Sequence, residues 1–130
     1  MFFDFERSLR LFNDAPNPHI IKIFFYLVIH QPSTSLRGFQ INKFQLQLDL
    51  KLSRTILFDS LHWLKENSFI QELKLDDESD FMVNPYIFMK DGDKEARIKE
   101  WSRRCMLDVK REIRLRKEKR RREQKNASQQ

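Results

Sequence analysis

Three consecutive residues, Ser53-Arg54-Thr55, stand at the head of a leucine-periodic segment, and together they offer one kind of chemistry. A serine at a helix N-cap accepts from a backbone N–H, and the amides and positive dipole end it leads into favour a bound phosphate. A guanidinium at Arg54 can pair with the O6 and N7 edge of a guanine, and Thr55 can bond a base edge or a phosphate. Lys43 and Lys51 flank this place and suit phosphate contacts; His62 lies on the same side of the segment, and Lys74 follows downstream. A second cluster is "RLRKEKRRRE", where Arg114, Arg116, Lys117, Arg120 and Arg121 crowd together without aromatics. Such a run neutralises phosphates and adds affinity without reading sequence. Both clusters bind polyanions; neither is a catalytic constellation.

The charge distribution sharpens this. The formal net charge is +6, yet Lys110 to Lys125 alone holds ten Lys or Arg against three Glu. The positive excess therefore belongs to the tail, and the body is slightly acidic. A block of that kind points to a polyanionic partner, the bland alternative being a solvated, disordered tail. Enzymatic chemistry finds little material. His19, His30 and His62 are scattered, with no cysteine or carboxylate at metal-ligand spacing. Gly38 and Gly92 are the only glycines, so no phosphate-cradling loop exists. The single Cys105 allows neither an internal disulfide nor a thiolate cluster, which fits a reducing cytoplasm. The expectation is a non-enzymatic protein without metal or cofactor. The longest apolar run, Ile20 to Ile29, is too short for a membrane span and contains Lys22, and the N-terminus has no export pattern.

A chain of 130 residues makes one domain with an extension. Residues 1–17 read as an N-terminal arm or short helix, 18–92 as the domain, 93–125 as a basic helix and 126–130 as a disordered tail. Asn17 and Pro18 predict a helix start, running to about Gln31 and apolar on nearly every side. A short helix is expected over Ile41 to Leu48, and another from Ser53 to Asn67, with Leu57, Leu61 and Leu64 on one inward face. "FIQELKL" and "DFMVNPYIF" read as two strands joined at the polar "DDESD", with Pro85 at the end of the second. Asp93 caps a last helix reaching past Arg120. Three helices, a hairpin and a helix give the expected class: mainly α with a small β-hairpin wing, a winged helix-turn-helix plus a long C-terminal basic helix. On that last helix Ile98, Trp101, Cys105, Val109 and Ile113 recur at steps of three and four, a stripe that predicts a homodimer through a second chain. The alternative is that Ile98 and Trp101 pack on their own domain.

The segments "MVNPYIFMKDGDKEARIKEW" and "LSRTILFDSLHWLKENSFIQ" resemble the RepL family of plasmid replication proteins, over about Ile41 to Trp101. The Asn-Pro segment from Val83 to Asp93 is the most specific part. The resemblance implies a winged-helix initiator that binds double-stranded DNA at a plasmid origin, recruits host replication proteins and has no catalytic activity of its own. Two other functions fit the same residues. One is a transcriptional repressor on the same fold; the other is a protein-interaction module whose basic helix docks on an acidic partner.

Overall fold

The computed structural model describes every residue except Met1, Thr34, Ser35, Gln129 and Gln130, and the side chains of Asp108, Val109, Glu112 and Ser128 also lie outside the described set. The elements run β1 (Phe2–Phe3), α1 (Phe5–Asp14), α2 (His19–Ile29), β2 (Phe39–Ile41), α3 (Lys43–Leu50), α4 (Arg54–Glu66), β3 (Ile70–Lys74), β4 (Ser79–Val83), β5 (Phe88–Met89) and α5 (Lys94–Ser128). The chain is mainly helical with a small antiparallel sheet.

Local chemistry explains most boundaries. Asn17 Oδ1 accepts the His19 amide at 3.0 Å, so α2 opens where Asn-Pro indicates. Its apolar surface is used on almost all sides: Ile20, Ile23, Phe24 and Leu27 are fully buried. Ser53 Oγ accepts from the Ile56 amide at 3.3 Å and starts α4, whose Leu57, Leu61 and Leu64 enter the core. The helix expected from Ile41 begins two residues later. Ile41 ends β2, and Asn42 caps α3 by accepting from the amides of Phe44 and Gln45.

Strand β2 is an element the sequence did not announce. Its partner is β4, with Phe39 opposite Phe81, and β4 also pairs with β3, giving the order β2-β4-β3. Gly38 permits the approach, because a Cβ there would stand 2.2 Å from Asp80 Oδ1 and 2.4 Å from the Phe81 carbonyl oxygen. The β3–β4 hairpin closes through the Leu75 amide donating to the Glu78 carbonyl at 2.9 Å.

Asn84 organises the end of the sheet. Its amide side chain donates to the Ser68 carbonyl at 2.7 Å, its Oδ1 accepts the Tyr86 N–H, and its own carbonyl accepts from Ile87 and Phe88. The chain then turns, and Phe88–Met89 pairs antiparallel with Phe2–Phe3. Residues 2–17 thus take the helical alternative and are docked: β1 joins this second ladder, and Leu11 of α1 is fully buried. Gly92, at φ +96°, makes the bend before Asp93 caps α5 through the Ala96 amide. That helix continues through 126–128, which were expected to be disordered.

The two faces of the three-stranded sheet are covered by different helices. Strand alternation sends Glu72 of β3 toward α3 and α4, and Gln71 toward the first turns of α5.

Candidate nucleic-acid interface

Helices α3 and α4 are joined by Lys51-Leu52-Ser53. A tight turn here demands a left-handed residue, and Lys51 takes it at φ 55°, ψ 45°, its N–H closing on the carbonyls of Gln47 and Leu48. Leu52 tucks into the core, which leaves Lys51, Ser53, Arg54 and Thr55 exposed together at the entrance of α4. The helix start therefore presents one guanidinium, one ammonium, hydroxyl groups and free backbone amides in one place.

A residue not singled out from sequence shapes this surface. Phe58 sits one turn after Arg54, half-buried, with the Arg54 Cζ 5.1 Å from its ring centroid and the Lys43 Nζ 5.0 Å away. The ring is a platform that limits the rotamers of Arg54 and so lowers the entropy cost of using it. The i to i+4 spacing of Arg54 and Phe58 was a readable signal.

Lys43 has a different duty from the phosphate contact expected of it. Its Nζ lies 2.7 Å from Glu72 Oε2, while Lys65 Nζ lies 2.8 Å from Oε1, and the Ser79 hydroxyl donates to Oε2. The Glu72 side chain is only 2% exposed. Burial alone would raise its pKa, but the hydrogen bonds from Lys43, Lys65 and Ser79 and the Lys65 charge outweigh it and hold the carboxyl at about 2. Glu72 thus clamps α3, α4 and β4 together with its charge consumed internally. His62 is also engaged, its Nε2 lying 2.9 Å from Glu66 Oε1 on the exposed side of α4. Lys74 stands exposed at the end of β3, beside the acidic hairpin tip of Asp76, Asp77 and Glu78.

The last helix divides the residues expected to hold a second chain. Trp101 is buried on its own domain at 8% exposure, and Ile98 is half-buried beside it. The stripe expected to pair two chains is therefore used, at this end, to cover the sheet. Gln71 Nε2 donates to the Trp101 carbonyl at 2.9 Å and lies 2.8 Å from the Cys105 sulfur. Arg104, 1% exposed, pairs with Asp80 Oδ1 at 2.9 Å and donates to the Asp80 carbonyl at 2.9 Å. Arg97 is buried too and donates to the Pro32 carbonyl; burial lowers its pKa. Cys105 and Ile113 are exposed, and the Val109 side chain lies outside the described residues.

Beyond Cys105 every described side chain of α5 is exposed. Arg114, Arg116, Lys117, Arg120 and Arg121 are all here, but the helix orders them more than the sequence suggested. Lys110, Arg114, Lys117, Arg121 and Lys125 recur at steps of four, three, four and four, placing five cations within an arc of about 80° over about 22 Å. No protein-family model matches the chain, and neither a curated protein nor a solved structure is similar to it. Among the described residues no helix is long and apolar enough to cross a membrane.

Proposed function

We propose that the chain is a winged helix-turn-helix protein that binds double-stranded DNA in the cytoplasm, with α4 as the reading helix, and that it acts as an initiator of plasmid replication. The observation that carries the reading is the entrance of α4. An exposed Arg54 rests on Phe58 at a helix N-terminus, a three-residue turn from α3, and an antiparallel hairpin follows. Helices so joined place the N-terminal residues of the second one against base edges in the major groove. Arg54 and Thr55 then read, while Lys51 and the amides near Ser53 hold phosphate. The cationic line on α5 supplies affinity independent of sequence. The initiator role rests on the resemblance of the segments around Asn84-Pro85 to the RepL family, which also suggests recruitment of host replication proteins.

Selection of duplexes from a random pool tests the reading. One motif is expected to be enriched, and Arg54→Ala should weaken binding to that motif by about 1–3 kcal/mol while leaving binding to random duplex little changed. Equal losses on both DNAs would demote Arg54 to a phosphate contact, and a pool without enrichment would sink the reader assignment. Initiator and repressor share this surface, so they are separated in cells. An initiator variant lacking Arg54 loses plasmid maintenance, whereas a repressor variant raises transcription from its target promoter.

A further inference from the structure

The N-terminal helix exposes a face that DNA reading does not use. Phe5, Leu9 and Phe12 are 76%, 54% and 49% exposed, and they fall at i, i+4 and i+7, on one line of α1. The helix already buries Leu11 on its inner side, so this is a second apolar face. It does not stand alone. Phe5 packs edge-on against Phe3 at 4.9 Å, Phe3 against Phe88 at 5.5 Å, Phe88 against Phe25 at 6.5 Å, and Phe25 reaches Phe12 at 6.4 Å. Five phenylalanines and a leucine thus make one continuous surface in which the body supports the helix. Phenylalanines present about 150–250 Å² each when open, so the three exposed residues alone show roughly 350–450 Å², as much as the largest patch on a typical monomer.

We propose that this face binds the same face of a second copy of the chain across a two-fold axis through Leu9. The stripe is nearly symmetric about that residue, with one phenylalanine four positions before it and another three after. Antiparallel pairing of two α1 helices sets Leu9 against Leu9, and Phe5 of one copy against Phe12 of the other, twice over. That self-complementarity is what an isologous contact requires. The one charge beside the stripe is Glu6; Arg7, Arg10 and Asp14 lie round the back of the helix, Arg7 3.8 Å from Asp4 and Arg10 4.0 Å from Asp14. A rim without spare cations is equally unsuited to phosphate, so nucleic acid is not the occupant. Two copies would bury about 800 Å² from these residues before any rim contact, in the range of weak association, so a concentration-dependent dimer is expected. The contact is compatible with DNA reading. Arg10 donates to Asn67 at the C-terminal end of α4, which puts α1 at the end of that helix away from Arg54. Self-association stands independently of the DNA reading.

Sedimentation velocity of the full chain without DNA should show a monomer–dimer equilibrium that shifts with concentration. Leu9→Glu should remain monomeric with an unchanged melting temperature, because the replaced side chain is exposed. In a Cys105→Ser background, Leu9→Cys should form an interchain disulfide on mild oxidation, while Asp14→Cys, on the opposite side of the same helix, should not. A wild-type chain that stays monomeric throughout the series overturns the proposal. So does loss of the dimer in Ile113→Glu but not in Leu9→Glu, which would move the contact to α5. Flotation of a monomeric chain with phosphatidylcholine vesicles would show a lipid surface as the occupant instead. Retention of duplex binding with an unchanged salt slope by the Leu9→Glu monomer would leave the DNA reading standing whatever the fate of the dimer.

Discussion

The two halves of α5 are made from similar residues and behave in opposite ways. From Lys94 to Cys105 the helix is fastened: Arg97, Trp101 and Arg104 are buried, and Gln71 and Asp80 reach up from the sheet to meet it. From Met106 onward every described side chain is exposed, Leu107, Ile113 and Leu115 included. Arginine is frequent in both halves, so charge does not decide which half docks. What decides it is the partner. The sheet offers Arg104 a carboxylate and a carbonyl from the same residue, which partly offset the loss of water around a guanidinium whose Nε finds no partner. Among the described residues no buried acceptor faces Arg114.

The comparison breaks most directly at Arg104. Replacing it with Ala should destabilise the fold by about 3–5 kcal/mol, because the Asp80 carboxylate stays behind, buried and unpaired. Urea unfolding measures this, and replacing both partners together with apolar residues of similar volume should recover most of the loss. A single-site cost under about 1 kcal/mol would mean that the pair is not the anchor. Trp101→Ala should cost a comparable 3 kcal/mol or so through the cavity it leaves.

The other face of the sheet sharpens the picture, since it holds a buried carboxylate of its own. Glu72→Gln should cost about 1–3 kcal/mol by loosening α3 and α4 from β3. The pH dependence has a definite sign. The Glu72 pKa is lowered in the fold from 4.5 to about 2, so its stabilisation is complete above about pH 4.5 and is lost as the pH falls toward 2. Thermal melts across that window should show wild type losing more stability on acidification than Glu72→Gln. Equal losses would place the acid sensitivity elsewhere.

The smallest effect on stability is expected from the free half. Deleting 107–130 should change unfolding free energy by no more than about 0.5 kcal/mol, since every described side chain that goes with it is exposed. The effect lies in binding instead. The logarithmic salt slope on random duplex should fall by about 4–5 if each cation of the five-residue line neutralises one phosphate. An unchanged slope would separate the tail from DNA altogether.

How far all this was legible follows from the range of each signal. Caps are local, so Ser53, Asn17 and Asp93 could be read directly, as could the inward leucines of α4. Strand β2 could not, because three residues carry no periodicity and their partner is β4, forty residues away. For the same reason the β1–β5 ladder and the docking of α1 were invisible. The stripe from Ile98 to Ile113 was read as one surface, yet its first part meets the sheet and its last part meets water. Spacing alone cannot show where the supporting domain ends. Lys43 and Glu72 were both plain in the sequence, but only the fold brings them within 2.7 Å, turning an expected phosphate contact into an internal clamp. Arg54 remains available because it is exposed, and Phe58, four residues on, carries a signal legible in the spacing alone.

The stiffness of α5 gives the Asp80–Arg104 pair influence far from where it sits. Beyond Arg104 the helix runs on to Ser128, about 36 Å at 1.5 Å per residue. A tilt of about 5° at the anchor moves the far end by about 3 Å, close to the rise between neighbouring phosphates on one DNA strand. One buried guanidinium is then a pivot, and if α5 follows DNA as proposed, the accuracy with which a distant cation meets a phosphate is set by how little that pivot can rock.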